Sequence, residues 1–299
     1  MWFRNLQLLR LAPGIAIDPD VLNQKLAERR LIACGGIERK RIGWVPAHGE
    51  AFAHHQGGHI LVAMGIEEKL LPVDVVKQEA DKKITSIAEQ EGYRPGSRRQ
   101  REIREQVEDE LLPRAFARRT TVHAWIDPIN GWLAVDAASI GKAEALSTLL
   151  AETLPDLPIR LPNTRMSPGA AMTAWLMEDA PDGFTIDRDG ELRLPGEDRA
   201  TVRYVHHALD GSEIAEHICA GKQVTRLGLT WSGRVSFLLT DKFEIKRLQF
   251  LDVVKEQSNQ AEDAEALFQA EFALMVGELA KLIDGLVEAC GGLDEDVAR

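Results

Sequence analysis

Residues 108–139 read EDELLPRAFARRTTVHAWIDPINGWLAVDAAS, and within this stretch a charged helical run gives way to a β-hairpin. Leu111 and Leu112 close the run, and Pro113 stops it, because proline lacks a backbone donor and disfavours helical geometry in the residue before it. The chain then turns through a segment in which one large ring, Phe116, stands among Arg114, Arg118 and Arg119. A strand is expected over 121–126. Its turn is Asp127-Pro128-Ile129-Asn130-Gly131, whose Asn-Gly step readily takes positive φ, and Leu133 and Val135 continue the returning arm. Phe116 has two readings. It is a core or interface anchor with the arginines as its solvated rim, which general base rates favour, or it is a nucleic-acid contact, with arginine on phosphate and the ring stacking or wedging.

Upstream, Val73, Val76, Ile84 and Ile87 fall at helical spacing, and Gly92 to Gly96 breaks the pattern. A second helix is expected over 97–112. It carries Arg98, Arg99, Arg101 and Arg104, with acids spaced for Arg101–Glu105 and Arg104–Glu108 pairs. It has few apolar residues, so it protrudes into solvent or lies against something polar. Nearer the start, an opening strand is expected over 2–11 and a helix over 18–30, with Asp18 as N-cap and Pro19 at the first helical position. Two short strands follow, over 59–64 and 69–71.

Downstream, Ala143, Leu146, Leu149 and Leu150 give an inward face to a helix over 142–154, and the proline-rich stretch 154–163 marks a boundary. A short hairpin is expected over 183–194. Asp210 and Glu213 have capping-box spacing for a helix ending near Gly221. A meander of three strands follows over 224–231, 234–239 and 243–250. The closing acidic helix carries Phe268, Phe272, Val276, Leu279, Ile283 and Leu286 in one stripe, read as core or as dimer seam. The expected fold is α+β, with mostly antiparallel sheets, flanking helices and several subdomains, divided at 1–72, 73–120, 121–160, 161–251 and 252–299.

Composition sets bounds on function. The 299 residues carry a net charge of −11, but 252–299 alone hold 12 acids against 3 bases, leaving only −2 for the rest. Basic residues cluster at Arg94, Arg98, Arg99, Arg101 and Arg104 and again at Arg114, Arg118 and Arg119, so the middle of the chain is locally basic, and net charge by itself does not exclude a polyanion. Arg4, Asn5, Gln7 and Arg10 interrupt any secretory h-region, and no apolar run is long enough to span a bilayer, so a cytosolic protein is expected. Cys34, Cys219 and Cys290 are widely spaced and suggest neither a disulfide framework nor a zinc site. His54, His55 and His59 tempt a metal assignment but lack HExxH spacing, and a polar loop is the preferred reading. The GxSxG, P-loop and dinucleotide motifs are absent, so the residues point to no enzyme and no cofactor.

The order and spacing of several short motifs resemble the bacterial RdgC family of recombination-associated proteins. They are MWFRNL at 1–6, GWVP at 43–46, EEKLLP at 67–72, LLPRAF at 111–116, ID-x-x-NG at 126–131, KAE at 142–144, HI-x-AGK-x-VT at 217–225 and KRL-x-F at 246–250. The resemblance implies a ring-shaped homodimer that encircles duplex DNA with little sequence preference, a nucleoid-associated place in the cytoplasm, restraint of RecA-promoted strand exchange, and no catalysis. Single-stranded DNA is a further ligand to be weighed. Phe116 and Lys222 match the family's residue types and are expected at ring closure or DNA contact. The segment with Val205, His206 and His207 departs from it, being less basic than the family pattern. On this reading the DNA-binding set is Arg98, Arg99, Arg101, Arg104, Arg114, Arg118, Arg119, Lys222, Lys246 and Arg247, and the dimer-interface set is Phe116, Phe268, Phe272 and Leu279. The alternative is an acidic interaction protein that acts on a recombination partner and touches DNA only weakly.

Overall fold

The computed structural model describes residues 1–12, 14–196, 200–258 and 263–294. Two antiparallel sheets organise the chain. The first contains β1 (Gln7–Arg10), β2 (Lys40–Val45), β3 (Ala53–Gln56), β4 (His59–Leu70), β5 (Phe116–Asp127) and β6 (Trp132–Val135), in the order β1-β6-β5-β4-β2 with β3 also paired to β4. The second contains β7 (Phe184–Arg193), β8 (Thr201–Tyr204), β9 (Gln223–Trp231), β10 (Val235–Thr240) and β11 (Ile245–Phe250), in the order β11-β10-β9-β7-β8. The helices are α1 (Pro19–Glu28), α2 (Val73–Glu91), α3 (Ser97–Leu111), α4 (Ile140–Thr153), α5 (Pro168–Met177), α6 (Ser212–Cys219), α7 (Asp252–Lys255) and α8 (Ala264–Ala289). No described helix is long and apolar enough to cross a membrane.

Several local expectations hold for the reasons given. The Asp18 carboxylate accepts from the backbone N–H groups of Asp20 and Val21 at the start of α1. Gly92 ends α2 in left-handed geometry, and Gly131 takes a φ of 72° in the hairpin turn. The meander forms as β9, β10 and β11.

Other expectations are corrected. The two strands over 59–64 and 69–71 are one strand, β4, because residues 65–68 pair with β2 on one side and β5 on the other. Gly65 permits this join: a Cβ there would lie 2.6 Å from Val45 Cγ1 and 2.8 Å from Leu31 Cδ2. β5 starts at Phe116 rather than at 121, since Phe116 to Thr120 pair with Leu70 to Ile66. The hairpin over 183–194 is a single strand, β7, held between β8 and β9. The capping box does not form. The N-cap of α6 is Gly211, which leaves Asp210 one residue too early.

Packing explains why α8 carries an all-apolar stripe. Phe272, Met275, Leu279, Leu282, Ile283 and Leu286 are buried in one cluster with Leu61 and Trp125 of the first sheet and Leu227, Leu229 and Phe237 of the second. Each such side chain contributes about 1.5–3 kcal/mol relative to exposure. Phe272 and Leu279, at 1% and 0% exposure, therefore belong to this chain's own core and not to a dimer seam. The other face of the first sheet packs on α1 and α4, through Leu22, Leu26, Ala143, Leu146 and Leu150. A third, small cluster joins α2 to α3 through Val76, Ala80, Ile84, Ile103 and Val107, so α3 leans on an apolar neighbour as well as on solvent.

Candidate nucleic-acid interface

The arginines of α3 are exposed but largely matched. Arg98 pairs with Glu102 at 3.2 Å and Arg101 with Glu105 at 2.9 Å, as the spacing predicts. Arg99 reaches across to α2 and makes two bonds of 2.8 Å to Glu91, whose carboxyl this guanidinium holds below the usual range. The Arg104–Glu108 pair does not form. Glu108 instead takes Arg39, which leaves Arg104 without a carboxylate partner among the described residues. Exposed pairs of this kind are weak, so a phosphate group can replace the carboxylate at little cost.

At the far end of β4 and β5 the strand register builds two rows of charge. Arg41, Glu67 and Arg119 lie directly opposite one another across β2, β4 and β5, and Lys40, Glu68 and Arg118 do so one residue further along. Each row sets one carboxylate between two cations. Glu67 is nearly enclosed: it accepts the Cys34 backbone N–H at 2.7 Å and pairs with Arg119, and these bonds hold its carboxyl low. A buried role for Glu67 departs from the solvated face that its charged neighbours suggest. Beyond the rows, Phe116 sits opposite Leu70 and is 84% exposed, so it is no core anchor. Arg114, on the turn between α3 and β5, completes the rim. Phe116 and Arg118 thus share one face at the start of β5, while Arg119 points to the other face, toward Glu67.

The remaining predicted residues lie elsewhere. Lys222 follows Gly221 at the end of α6, and its ammonium donates to His217 Nδ1 at 2.9 Å. Lys246 pairs with Glu244 at 2.9 Å, and Arg247 stands beside it on β11. Arg203 and Arg226, which the sequence reading did not single out, line one cleft with Arg247. Their signal was present. Arg226 falls on the polar side of a strand whose apolar alternation was already legible. Phe268 is engaged within the chain, stacking on His48 at 3.6 Å and meeting His54 edge-on at 5.0 Å, which argues against a free dimer contact.

The three histidines do not converge. His54 packs on Phe268 and Phe272, while His59 is half-enclosed beside Trp125, its Nδ1 3.8 Å from the buried Asp127 carboxylate. Burial lowers the His59 pKa, partly opposed by Asp127. Among the described residues no group of three or more His, Cys, Asp or Glu side chains is placed to hold a metal ion.

Two antiparallel sheets packed on one long helix, with a helix pair joined by its own small apolar cluster and an exposed Phe116 at the start of β5, define an α+β protein. The chain belongs to the RdgC family: the family model described as "Putative exonuclease, RdgC" matches residues 1–293. It is 45% identical over 298 residues to the recombination-associated protein RdgC of Dechloromonas aromatica, with 98% of each chain covered. The proteins of that name from Herminiimonas arsenicoxydans and a Janthinobacterium species are 43% and 42% identical over 295 residues, again with 98% of each chain covered.

Proposed function

We propose that this chain binds duplex DNA without sequence preference, as a homodimer that closes around it, and that occupancy of the duplex restrains RecA-promoted strand exchange. The observation that carries the reading is Phe116, a large ring 84% exposed at a strand end, with Arg118 on the same face of β5 and Arg114 on the turn just before it. With Leu70, 47% exposed and directly opposite it, the ring makes an apolar patch suited to a contact, and the nearby arginines suit phosphate or a partner's carboxylates. The relatives' printed name, recombination-associated protein, supports reading that contact as one with DNA.

Physically, a ring suits an acidic protein. Only its lining has to be positive, and the −11 net charge keeps the outside from attracting neighbouring DNA. Closing a ring from two subunits takes two separate contacts per protomer, of which the Phe116 end with Leu70 offers one. Phosphate contacts carry no sequence information, so binding is non-specific and falls steeply with salt. Arg98, Arg99, Arg101, Arg104, Lys222, Lys246 and Arg247 are the further candidates for the lining.

A second reading rests on the ion pairs of α3, which mask three of its four arginines. In it the chain is an interaction protein that acts on a recombination partner and meets DNA weakly. Titration of two unrelated duplexes across a salt series separates the two. Equal affinities with a steep negative slope support DNA binding, and a flat slope supports the partner reading. The same duplexes incubated with divalent metal and examined for shortened strands test the nuclease activity that the family description names.

A further inference from the structure

The second sheet interrupts its ladder at three points, and two of these interruptions lead to one place. The pairing of β7 with β9 shifts between Ile186 and Gly190, leaving Asp187, Arg188 and Asp189 outside the regular register. The pairing of β10 with β11 shifts between Ser236 and Leu238, and the partner strand there places Arg247 at a φ of 51°. A third departure is His206, at a φ of 53°. Left-handed backbone is unfavourable for residues other than glycine and persists where contacts repay it. Asp189 supplies contacts to both strained residues. Its Oδ1 accepts the His206 backbone N–H at 3.0 Å, and its Oδ2 lies 3.4 Å from Arg247 Nη1.

The backbone of Arg247 has a structural duty, since its N–H donates to Asn5 Oδ1 at 3.3 Å where β11 meets the start of the chain. Its side chain does not share that duty. It turns to the cleft of about 20 Å³ that Arg203, Tyr204, Arg226, Glu191 and Asp189 line. Arg226 lies 3.6 Å from Glu191, a carboxylate also held by Arg193. Arg203 faces Glu191 across the β7–β8 register and has no ion pair among the described residues. Cations therefore outnumber carboxylates here.

The Arg247–Asp189 bond differs from the pairs that hold this fold. Arg234 binds Glu278 through two bonds of 2.9 and 2.7 Å, with Glu278 buried. Arg247 reaches Asp189 through one bond, longer than charge-assisted bonds usually are, and its side chain is 62% exposed. The first geometry locks. The second can be exchanged.

We propose that Asp189 stands in for a DNA backbone phosphate: it holds Arg247 in the free protein and yields it to a phosphodiester on binding, with Arg203 and Arg226 completing the anion site. Phosphate and carboxylate present similar acceptor edges to the guanidinium fork, so the exchange needs a change of partner and no rebuilding. This inference rests on the DNA-binding reading, and it adds a built-in competitor that tempers affinity.

The test is a double-mutant cycle on the full chain, with a short fluorescent duplex titrated across a salt series. Asp189→Asn keeps an Oδ1 acceptor for the His206 N–H and removes the charge. It tightens binding about two- to fivefold, the scale of one exposed ion pair. Arg247→Gln weakens binding and reduces the slope of log K against log salt by about 0.9, one phosphate contact. Arg247→Gly, which tolerates the left-handed backbone, does the same and guards against misfolding of the first variant. In either Arg247 background the Asp189→Asn gain disappears. A gain that persists there would mean a general charge effect and would overturn the proposal. So would an unchanged affinity for Asp189→Asn while the parent protein binds with a steep salt slope, an outcome that leaves the DNA reading intact. Absence of salt-dependent binding by the parent protein overturns both.

Discussion

Leu6 and Ile245 exchange both of their backbone hydrogen bonds, at 2.7 and 3.0 Å, and so stitch the start of the first sheet to the second, 239 positions apart in sequence. The link is reinforced by Leu248 N–H to Arg4 O at 2.8 Å and by Gln7 Nε2 to Glu244 at 3.1 Å. Together with α8, which both sheets cover, it makes the described fold one packed body rather than beads on a linker. Leu6 is fully buried at the joint.

Leu6→Ala is therefore expected to cost about 2–5 kcal/mol and to leave unfolding as a single transition. Urea titration followed by far-UV circular dichroism and by tryptophan fluorescence checks this. Coincident curves support the joint. Separated midpoints for the two probes would mean that the sheets unfold independently.

Phe116 and Phe272 should part company on substitution. Phe272→Ala empties a core site and loses about 3–5 kcal/mol, whereas Phe116→Ala, at an exposed strand end, stays within about 0.5 kcal/mol. Sedimentation of the same variants reads the other half of the prediction. Phe116→Ala shifts the population toward monomer, while a fully dimeric Phe116→Ala protein would take this ring out of the interface.

Much of this arrangement was legible in the sequence. Asp18, Gly92 and Asn130-Gly131 mark element ends by local chemistry, so the helix and turn boundaries near them were readable. The stripe of α8 was equally plain, but periodicity says only that a face is apolar. It could not say that both sheets of the same chain, rather than a second copy, cover Phe272 and Leu279. Charge spacing found Arg101–Glu105, which is local, but also offered Arg104–Glu108, which loses Glu108 to Arg39 through a helix-to-sheet contact, and it missed Arg119–Glu67, which depends on strand register. Bulges were the least legible feature. Nothing in the alternation of 184–193 or 245–250 announces that Asp189 and Arg247 leave the ladder and meet.

Acid should loosen this fold through its histidines. Burial lowers the pKa of His59 and of His123, with Asp127 and Asp136 respectively opposing that shift. The unfolded chain thus binds protons that the folded chain refuses. Their contribution is present in full above the ordinary histidine value of 6.5 and is lost as pH falls from there through the lowered folded values. Thermal melts between about pH 7.5 and pH 5.5 should show a falling melting temperature, and a His59→Gln, His123→Gln double variant should flatten that dependence. An equally steep fall in the double variant would assign the effect to other groups.

The central claim is encirclement, and the most direct measurement is retention of the protein on a covalently closed circular duplex and on the same DNA linearised, each washed with rising salt. A closed homodimer is predicted to persist on the circle at salt that releases it from the linear form, because only the linear form has ends to slide from. Equal release from both would contradict a ring and leave the basic surfaces around Phe116 and Arg247 as open patches that bind DNA from one side.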